Sequence, residues 1–284
     1  MAWHIIEIDS HSFAVSDLLT NYLPAHTPCV HGVTLRQWHT HNLGEDNTEE
    51  YNLSFSVALD DNDVRESRMF AVRTLGFEPS QLVFPAQVHG ADVKAVDAKD
   101  GTCGALSSDT AIPDCDALVT DTPGLLLGIT IADCLPVFFF DPIHKAIGIA
   151  HSGWRGTAGR IANRTLALMT ASFGTDPAAC LVAIGPGIGP EGYEVDEKVY
   201  AGFQAEDTAA SGVFTPTRPG HWQLDLYAAV SNQLMQAGVL PAHIDISSYR
   251  THQHTDLFFS HRLVPGCGRM GAFIGMAKKE MSGL

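Results

Sequence analysis

The sequence predicts an α+β fold built from mixed β-sheets with packed helices. Three observations lead there. Short apolar runs crowd the middle of the chain and are bounded by turn residues, as buried strands are. Stretches with helical spacing fall between them. One strand-like run, LPVFFF, leads into Asp141-Pro142-Ile143-His144 and then KAIGIA, which reads as a hairpin with its turn at Asp141 to His144. Hairpins mixed with helices argue for mixed sheets and against a doubly wound parallel sheet.

The elements follow in order. Residues 62–76 read as a helix. LLLGITIA (125–132), LPVFFF (135–140), AIGIA (146–150) and LVAIG (181–185) read as strands. Residues 157–173 place Ile161, Leu168 and Met169 on one helical face, and Gly174 suits the stop. Residues 224–237 read as a further helix. The polar stretch 37–50 and the Pro- and Gly-containing stretch 204–221 read as loops, too short and too ordinary to separate domains. With no repeat and no low-complexity tract, residues 1–284 are expected to form one domain.

Charge narrows the function. Seventeen basic residues face 32 acidic ones, a formal net charge of −15. Such a surface repels nucleic acid polymers and anionic membranes, so neither is expected as a partner. A small anion remains accessible to a pocket lined by a few arginines. The most apolar stretch, Leu125 to Phe140, is interrupted by Asp133, Cys134 and Pro136 and does not read as a membrane span. The N-terminal MAWHIIEIDS lacks a basic and then apolar leader pattern. The six cysteines form no CxxC motif and read as reduced thiols of a cytoplasmic protein.

The hairpin carries the chemistry. If Asp141 and His144 flank the turn, facing residues have numbers summing to 285, which pairs Cys134 with His151 at its open end. Opposed side chains lie about 4.5–5.5 Å apart at Cβ, within reach of one metal ion. A shift by one residue would put them on opposite faces. Catalytic zinc takes three protein ligands and leaves a position open. His89 in QVHGADV (87–93) is the candidate third ligand. Spacing alone also allows a structural thiol at Cys134, a hydrogen-bonded strand-end histidine at His151 and a surface or core histidine at His89.

Three further segments bear on the site. SGWRGTAGRI (152–161) reads as a strand-to-helix turn in which Thr157 caps the helix. Its N–H groups, with Arg155 and Arg160, would suit an anion, or form an ordinary tight turn with solvated arginines. IGPGIGPEGYEV (184–195) fails as a dinucleotide fingerprint because Pro190 takes the third glycine's place; it reads as a rigid wall or a plain connection. DLFFSHRLVPGCGRMG (256–271) supplies Ser260, Arg262 and Arg269. Its arginines suit phosphate or carboxylate, or salt bridges on the surface.

Taken together, QVHGADV, DCDALVT (114–120), ADCLPVFFFDP (132–142), GIAHSGWRGT (148–157), IGPGIGPEGYEV and FFSHR…GRMG resemble, in that order, the laccase-domain (YfiH-like) family, also described as bacterial purine nucleoside phosphorylases. The resemblance runs from about His31 to the C-terminal region. It implies a fold like that of toxin-related cysteine hydrolases. It implies a metal site of His89, Cys134 and His151, holding zinc, with copper as the alternative ion. It implies phosphorolysis of adenosine, inosine, guanosine and methylthioadenosine, with adenosine deamination as a side activity. The expected partners are a nucleoside and phosphate. Arg36, Asn52, Asp133, Arg155 and Arg262 are the candidate substrate-binding residues, with Asp133 orienting a ligand or a proton. The chain departs from the family pattern at Glu191, Gly192, Arg250 and His261, and QWHTHNL replaces a Gly-Gly-Val-Ser loop after HGVTLR (31–36). These positions are expected to shape the pocket rim.

Competing chemistries remain open at this point. A multicopper oxidase needs a histidine-rich trinuclear cluster beside a blue copper site, and the required Cys-His dipeptide is missing from the sequence. A hydrolase editing peptidoglycan precursors would use Cys134 as nucleophile and His151 as base. A non-catalytic metal-binding or interaction protein is the fourth reading.

Overall fold

The computed structural model describes residues 2–8, 11–21, 29–40, 47–206 and 212–277. The chain opens with β1 (Trp3–Ile8), β2 (His11–Ser16) and a short α1 (Asp17–Asn21), followed by β3 (Cys29–Thr34), β4 (Gln37–Thr40) and β5 (Asn47–Glu50). The helix α2 (Asp61–Thr74) starts where the Asp60 side chain accepts the Asn62 N–H, and it buries Val64, Arg68, Ala71 and Val72. The short strands β6 (Leu82–Val83) and β7 (Val93–Ala95) lead to β8 (Ala117–Thr120), β9 (Leu126–Ile131), β10 (Leu135–Asp141) and β11 (Ala146–Ser152). Then come α3 (Trp154–Ala158), α4 (Ile161–Phe173), β12 (Leu181–Ile184), β13 (Glu194–Asp196), α5 (Glu197–Glu206), β14 (Phe214–Arg218), β15 (His221–Leu224), α6 (Leu226–Gln236), β16 (Ile244–Ile246) and β17 (Met270–Met276).

Two six-stranded sheets result, ordered β1-β2-β3-β17-β9-β6 and β16-β12-β10-β11-β8-β7. Most neighbours are antiparallel, while β6/β9, β7/β8 and β12/β16 are parallel, so both sheets are mixed as expected. Continuous apolar runs form the central strands β9, β10, β11 and β17 because both of their faces are covered. In β10, Phe138 and Phe140 enter the core between the sheets with Ile129, Ile149 and Ile274. Leu135, Val137 and Phe139 point the other way, toward Ile161, Leu166 and Met169 of α4 and Leu234 of α6. The outer face of the first sheet is covered by α2, whose Ala71 and Val72 meet Phe13, Leu126 and Phe273. The order of layers is helix, sheet, sheet, helices. Each fully buried phenylalanine contributes roughly 1.5–3 kcal/mol of transfer free energy.

The structure corrects four local expectations. The helix over 157–173 is two helices: Arg160 adopts φ 60 between α3 and α4. Thr157 therefore lies inside α3, where its hydroxyl donates to the Gly153 carbonyl, and it is not an N-cap. The loop over 37–50 contains the paired strands β4 and β5, with 41–46 outside the described residues. The stretch 204–221 includes the end of α5 and the strand β14, which joins β13 and β15 in a small sheet; 207–211 lie outside the described residues.

The fourth correction is the register of the β10–β11 hairpin. Leu135 faces Ser152 and Asp141 faces Ala146, so facing residues sum to 287. The cause is the turn. Asp141 Oδ1 accepts the N–H groups of both Ile143 and His144, and Lys145 takes φ 55 before pairing begins. A shift of two preserves parity, so Cys134 and His151 stay on one face although they are not directly opposed.

Candidate metal centre

Cys134 immediately precedes β10, and His151 sits at the buried end of β11. The register continued past Leu135 sets Cys134 against Gly153, and a Cβ there would stand 2.9 Å from the Cys134 Sγ. Glycine at 153 thus leaves room for the sulfur. His89 comes from the segment between β6 and β7, at the edge beside β8. Its φ is 60, a left-handed conformation uncommon outside glycine.

One carboxylate holds His89 in that conformation. Asp116 is fully buried. Its Oδ1 accepts the His89 N–H at 3.0 Å, and its Oδ2 accepts those of Val88 and Gly90 at 3.1 and 2.7 Å. The same Oδ1 lies 2.8 Å from His151 Nδ1, and the Asp116 carbonyl accepts the His151 N–H. Asp116 therefore fixes the backbone of one histidine and the ring of the other. An Nδ1 engaged by a carboxylate leaves Nε2 to face outward, the arrangement that orients metal-binding imidazoles.

The ligand atoms of His89, Cys134 and His151 lie within 4.8 Å of one another, and the two imidazole rings are 4.8 Å apart at 84°. Electrostatics follow from this crowding. Burial acts to raise the Cys134 thiol, but His151 and then His89 outweigh it and hold the thiol below its ordinary value. Burial acts to lower His151, but Cys134 and Asp116 raise it instead. For Asp116 the upward pull of burial is likewise overcome, chiefly by His151. A thiolate between two imidazoles is a soft, negatively charged donor set, and donors around one tetrahedral zinc stand about 3.5 Å apart. With one donor atom each and none farther than 4.8 Å from another, the three residues fit a zinc-sized ion.

These side chains line a cleft of about 480 Å³. Arg155, Arg262 and Arg269 line it as well, with Trp154, Ile188 and Tyr193. The Arg155 guanidinium lies 4.5 Å from the Trp154 ring, and that of Arg262 lies 5.0 Å from the Tyr193 ring while donating to the Glu194 carbonyl. The Gly/Pro-rich segment forms a wall through Ile188 and Tyr193. Gly187 lets it approach: a Cβ there would stand 2.4 Å from Leu135 Cδ2 and 2.9 Å from the Asp133 carbonyl oxygen.

The other expected substrate residues divide. Asp133 lines the cleft with φ 88, but both its carboxylate oxygens are taken, by the Thr251 hydroxyl at 2.6 Å and the Arg262 N–H at 2.7 Å. It positions the Arg262 loop. Asn52 accepts the Arg269 N–H and the Ser54 N–H, and so shapes the wall from behind. Arg36 does not line the cleft; it bonds to Glu50 and the Thr255 carbonyl and lies over Phe259. Arg160 is also elsewhere, donating to Gln236. Of the departures from the family pattern, His261 lines the cleft; Glu191 and Arg250 do not, Arg250 lying over Tyr227. Sequence reasoning missed Asp116, although it sits in DCDALVT. Its signal was an acid one residue before an apolar strand that pairs with the strand carrying His151.

The site is a soft three-donor cluster that could hold a metal ion, at the end of a sheet and facing a cleft with arginines. Comparison makes this specific. Residues 30–277 match the family described as multi-copper polyphenol oxidoreductase laccase, and the chain belongs to it. It is 41% identical to purine nucleoside phosphorylase YlmD of Geobacillus stearothermophilus over 226 residues, 79% of this chain and 82% of that one. The Bacillus subtilis YlmD is 32% identical, over 80% of this chain and 82% of its own. The crystal structure of the Geobacillus protein superposes with a TM-score of 0.85, at 35% identity, covering 96% of this chain and 99% of that one. YfiH of Bacillus licheniformis gives the same TM-score at 30% identity, covering 97% and 99%.

Proposed function

We propose that this protein is a zinc-dependent purine nucleoside phosphorylase acting on adenosine, inosine, guanosine and methylthioadenosine. The observation that carries the reading is convergence. In a chain of net charge −15, three arginines line the same cleft as the His89–Cys134–His151 cluster. That is where a nucleoside and a phosphate would have to meet. The relatives' names supply the substrate class, and the cleft supplies the means.

His89, Cys134 and His151 would hold the zinc, and Asp116 would orient His151 toward it. When bound, zinc supplies a Lewis acid at the end of the cleft. Arg155, Arg262 and Arg269 bind phosphate by paired N–H donors and counter its charge. Stacking on Trp154 and Tyr193 limits the motion of the first two. Ile188 and Tyr193 exclude water, so phosphate and not water meets the anomeric carbon. Free thiols at all six cysteines suit a reducing compartment, and we place the protein in the cytoplasm.

Two observations keep other chemistries in the test. A His₂Cys donor set also suits copper. The aligned Asp116, His151 and Cys134 would, without metal, resemble the triad of a cysteine hydrolase. Metal analysis of protein purified without added metal, followed by assays with inosine and adenosine, separates these. Zinc content near one per chain and phosphate-dependent release of hypoxanthine with ribose 1-phosphate are expected. Inosine formed from adenosine without phosphate means deamination. Full activity in metal-free protein defeats the metalloenzyme reading.

A further inference from the structure

A second cavity opens off the metal cleft. It holds about 290 Å³ and shares Ser54, Ser56, Gln87 and Thr130 with the cleft. Gln87 and Thr130 form a fixed sill between the two: the Gln87 amide donates to the Thr130 carbonyl and accepts its N–H and hydroxyl. Beyond the sill the walls turn apolar, with Phe55, Phe84, Pro85 and Ala111.

One buried cation stands in those walls. Arg68 of α2 lines the cavity and is only 5% exposed. Its guanidinium lies 3.9 Å from the Phe84 ring and 4.6 Å from the Phe55 ring. Nε donates to the Leu53 carbonyl, and Nη1 donates to those of Gly104 and Ala105. Nη2 has no hydrogen bond among the described residues, and it is not one of the fully enclosed polar atoms. Nη2 is thus the guanidinium nitrogen left without a protein acceptor among the described residues, on a residue that lines this cavity. Arg68 also forms no ion pair with a carboxylate among the described residues, and burial pulls its pKa down to about 9. A donor reachable by water can exchange that water for a ligand acceptor, and a bond from a charged donor is stronger than a neutral one.

The chemistry that fits is a flat, apolar-faced ring with acceptors on one edge. A purine base has that form, and arginine donors match the N7 and O6 acceptors of a 6-oxopurine. Adenine presents an amino donor at position 6, opposed to the arginine. We propose that this side cavity is the base subsite, and that Arg68 hydrogen-bonds the acceptor edge of a 6-oxopurine there, favouring inosine and guanosine over adenosine. The inference rests on the nucleoside reading above and specifies which substrate that site prefers. The ribose then spans the sill, with its anomeric carbon toward the arginines of the metal cleft.

The test compares kcat/KM for inosine and adenosine in the zinc-loaded protein and in the variants Arg68→Met and Ala111→Leu, with metal content as a control. In the wild type inosine should be favoured about tenfold, the worth of one hydrogen bond to a charged donor. Arg68→Met should erase that preference by raising the KM for inosine about tenfold. If Arg68→Met does not fold, Ala111→Leu still decides. It leaves the arginine's bonds intact, narrows the cavity, and should raise the KM for both nucleosides without altering the KM for phosphate. Unchanged nucleoside KM values in Ala111→Leu, or a folded Arg68→Met that keeps the inosine preference, overturns the assignment. If the wild type turns over neither nucleoside, the phosphorylase reading fails, and calorimetry with free hypoxanthine decides the subsite alone. Binding that Ala111→Leu weakens supports it, and absence of binding overturns it.

Discussion

His31 in the first sheet and His151 in the second are buried almost equally, at 6% and 3% exposure, yet their surroundings push them in opposite directions. Burial, with His4 adding to it, pulls His31 down to about 3, and its Nε2 accepts the Ser16 N–H. His151 is raised because Cys134 stands on one side and Asp116 on the other. Neutrality is the default of a buried imidazole; charge there requires partners placed for it. The end of the second sheet is thus a built electrostatic site, and the matching depth of the first sheet is ordinary core.

The contrast is most strongly broken by removing the sulfur. Cys134→Ala should abolish nucleoside turnover and zinc retention together, because two neutral histidines hold zinc poorly. Loss of turnover with unchanged zinc content would instead identify Cys134 as a nucleophile. Next in size is Asp116→Asn. Loss of the carboxylate behind a metal-binding histidine lowers metal affinity by about 10–100-fold. Titration against a competing chelator measures this, and unchanged affinity would limit Asp116 to holding the 88–90 backbone.

Acid sharpens the comparison from the other side. His31 titrates near 6.5 when unfolded and near 3 when folded, so the unfolded chain takes up the proton first. The stability it secures is whole above pH 6.5 and falls by about 1.4 kcal/mol per pH unit toward pH 3. Urea unfolding from pH 7 to 4 should show this slope in the wild type and a shallower one in His31→Gln. In metal-free protein His151 has the opposite sign: its contribution is present below its unfolded value and lost as pH rises through its raised folded one. The smallest effect belongs to His144. Its Nδ1 lies 2.8 Å from Asp141 Oδ2, as close as His151 is to Asp116, but the imidazole is 41% exposed. His144→Ala should cost under about 1 kcal/mol in thermal unfolding and leave zinc content unchanged.

Much of this architecture was legible because the apolar runs are long and closely spaced. LPVFFF and AIGIA announce strands covered on both faces, and Gly174 does stop α4, at φ 78. The hairpin register was not legible, because the Asp141 side chain takes two turn N–H groups and lengthens the connection. Parity survived, and with it the meeting of Cys134 and His151. His89 came from the family motif, since its approach depends on a left-handed backbone held by a residue 27 positions away. Asp116, Gly153 and Arg68 were invisible for the same reason. Each matters through what lies opposite it, and that is set by sheet pairing and helix packing across the chain. Arg36 shows the converse: a motif-like neighbourhood drew attention to an arginine whose two terminal nitrogens bond to Glu50 and the Thr255 carbonyl, away from the cleft.

The clasp at Asp116 has a consequence for how the protein exchanges hydrogen with solvent. Val88 is 57% exposed and His89 is also on the surface, so their amides would ordinarily trade protons with water quickly. Here the N–H groups of 88, 89 and 90 all terminate on one buried carboxylate. Their deuterium uptake is therefore tied to separation of that loop from the sheet and not to local accessibility. Three consecutive amides on an outer loop become a slow clock for the integrity of the centre beneath them.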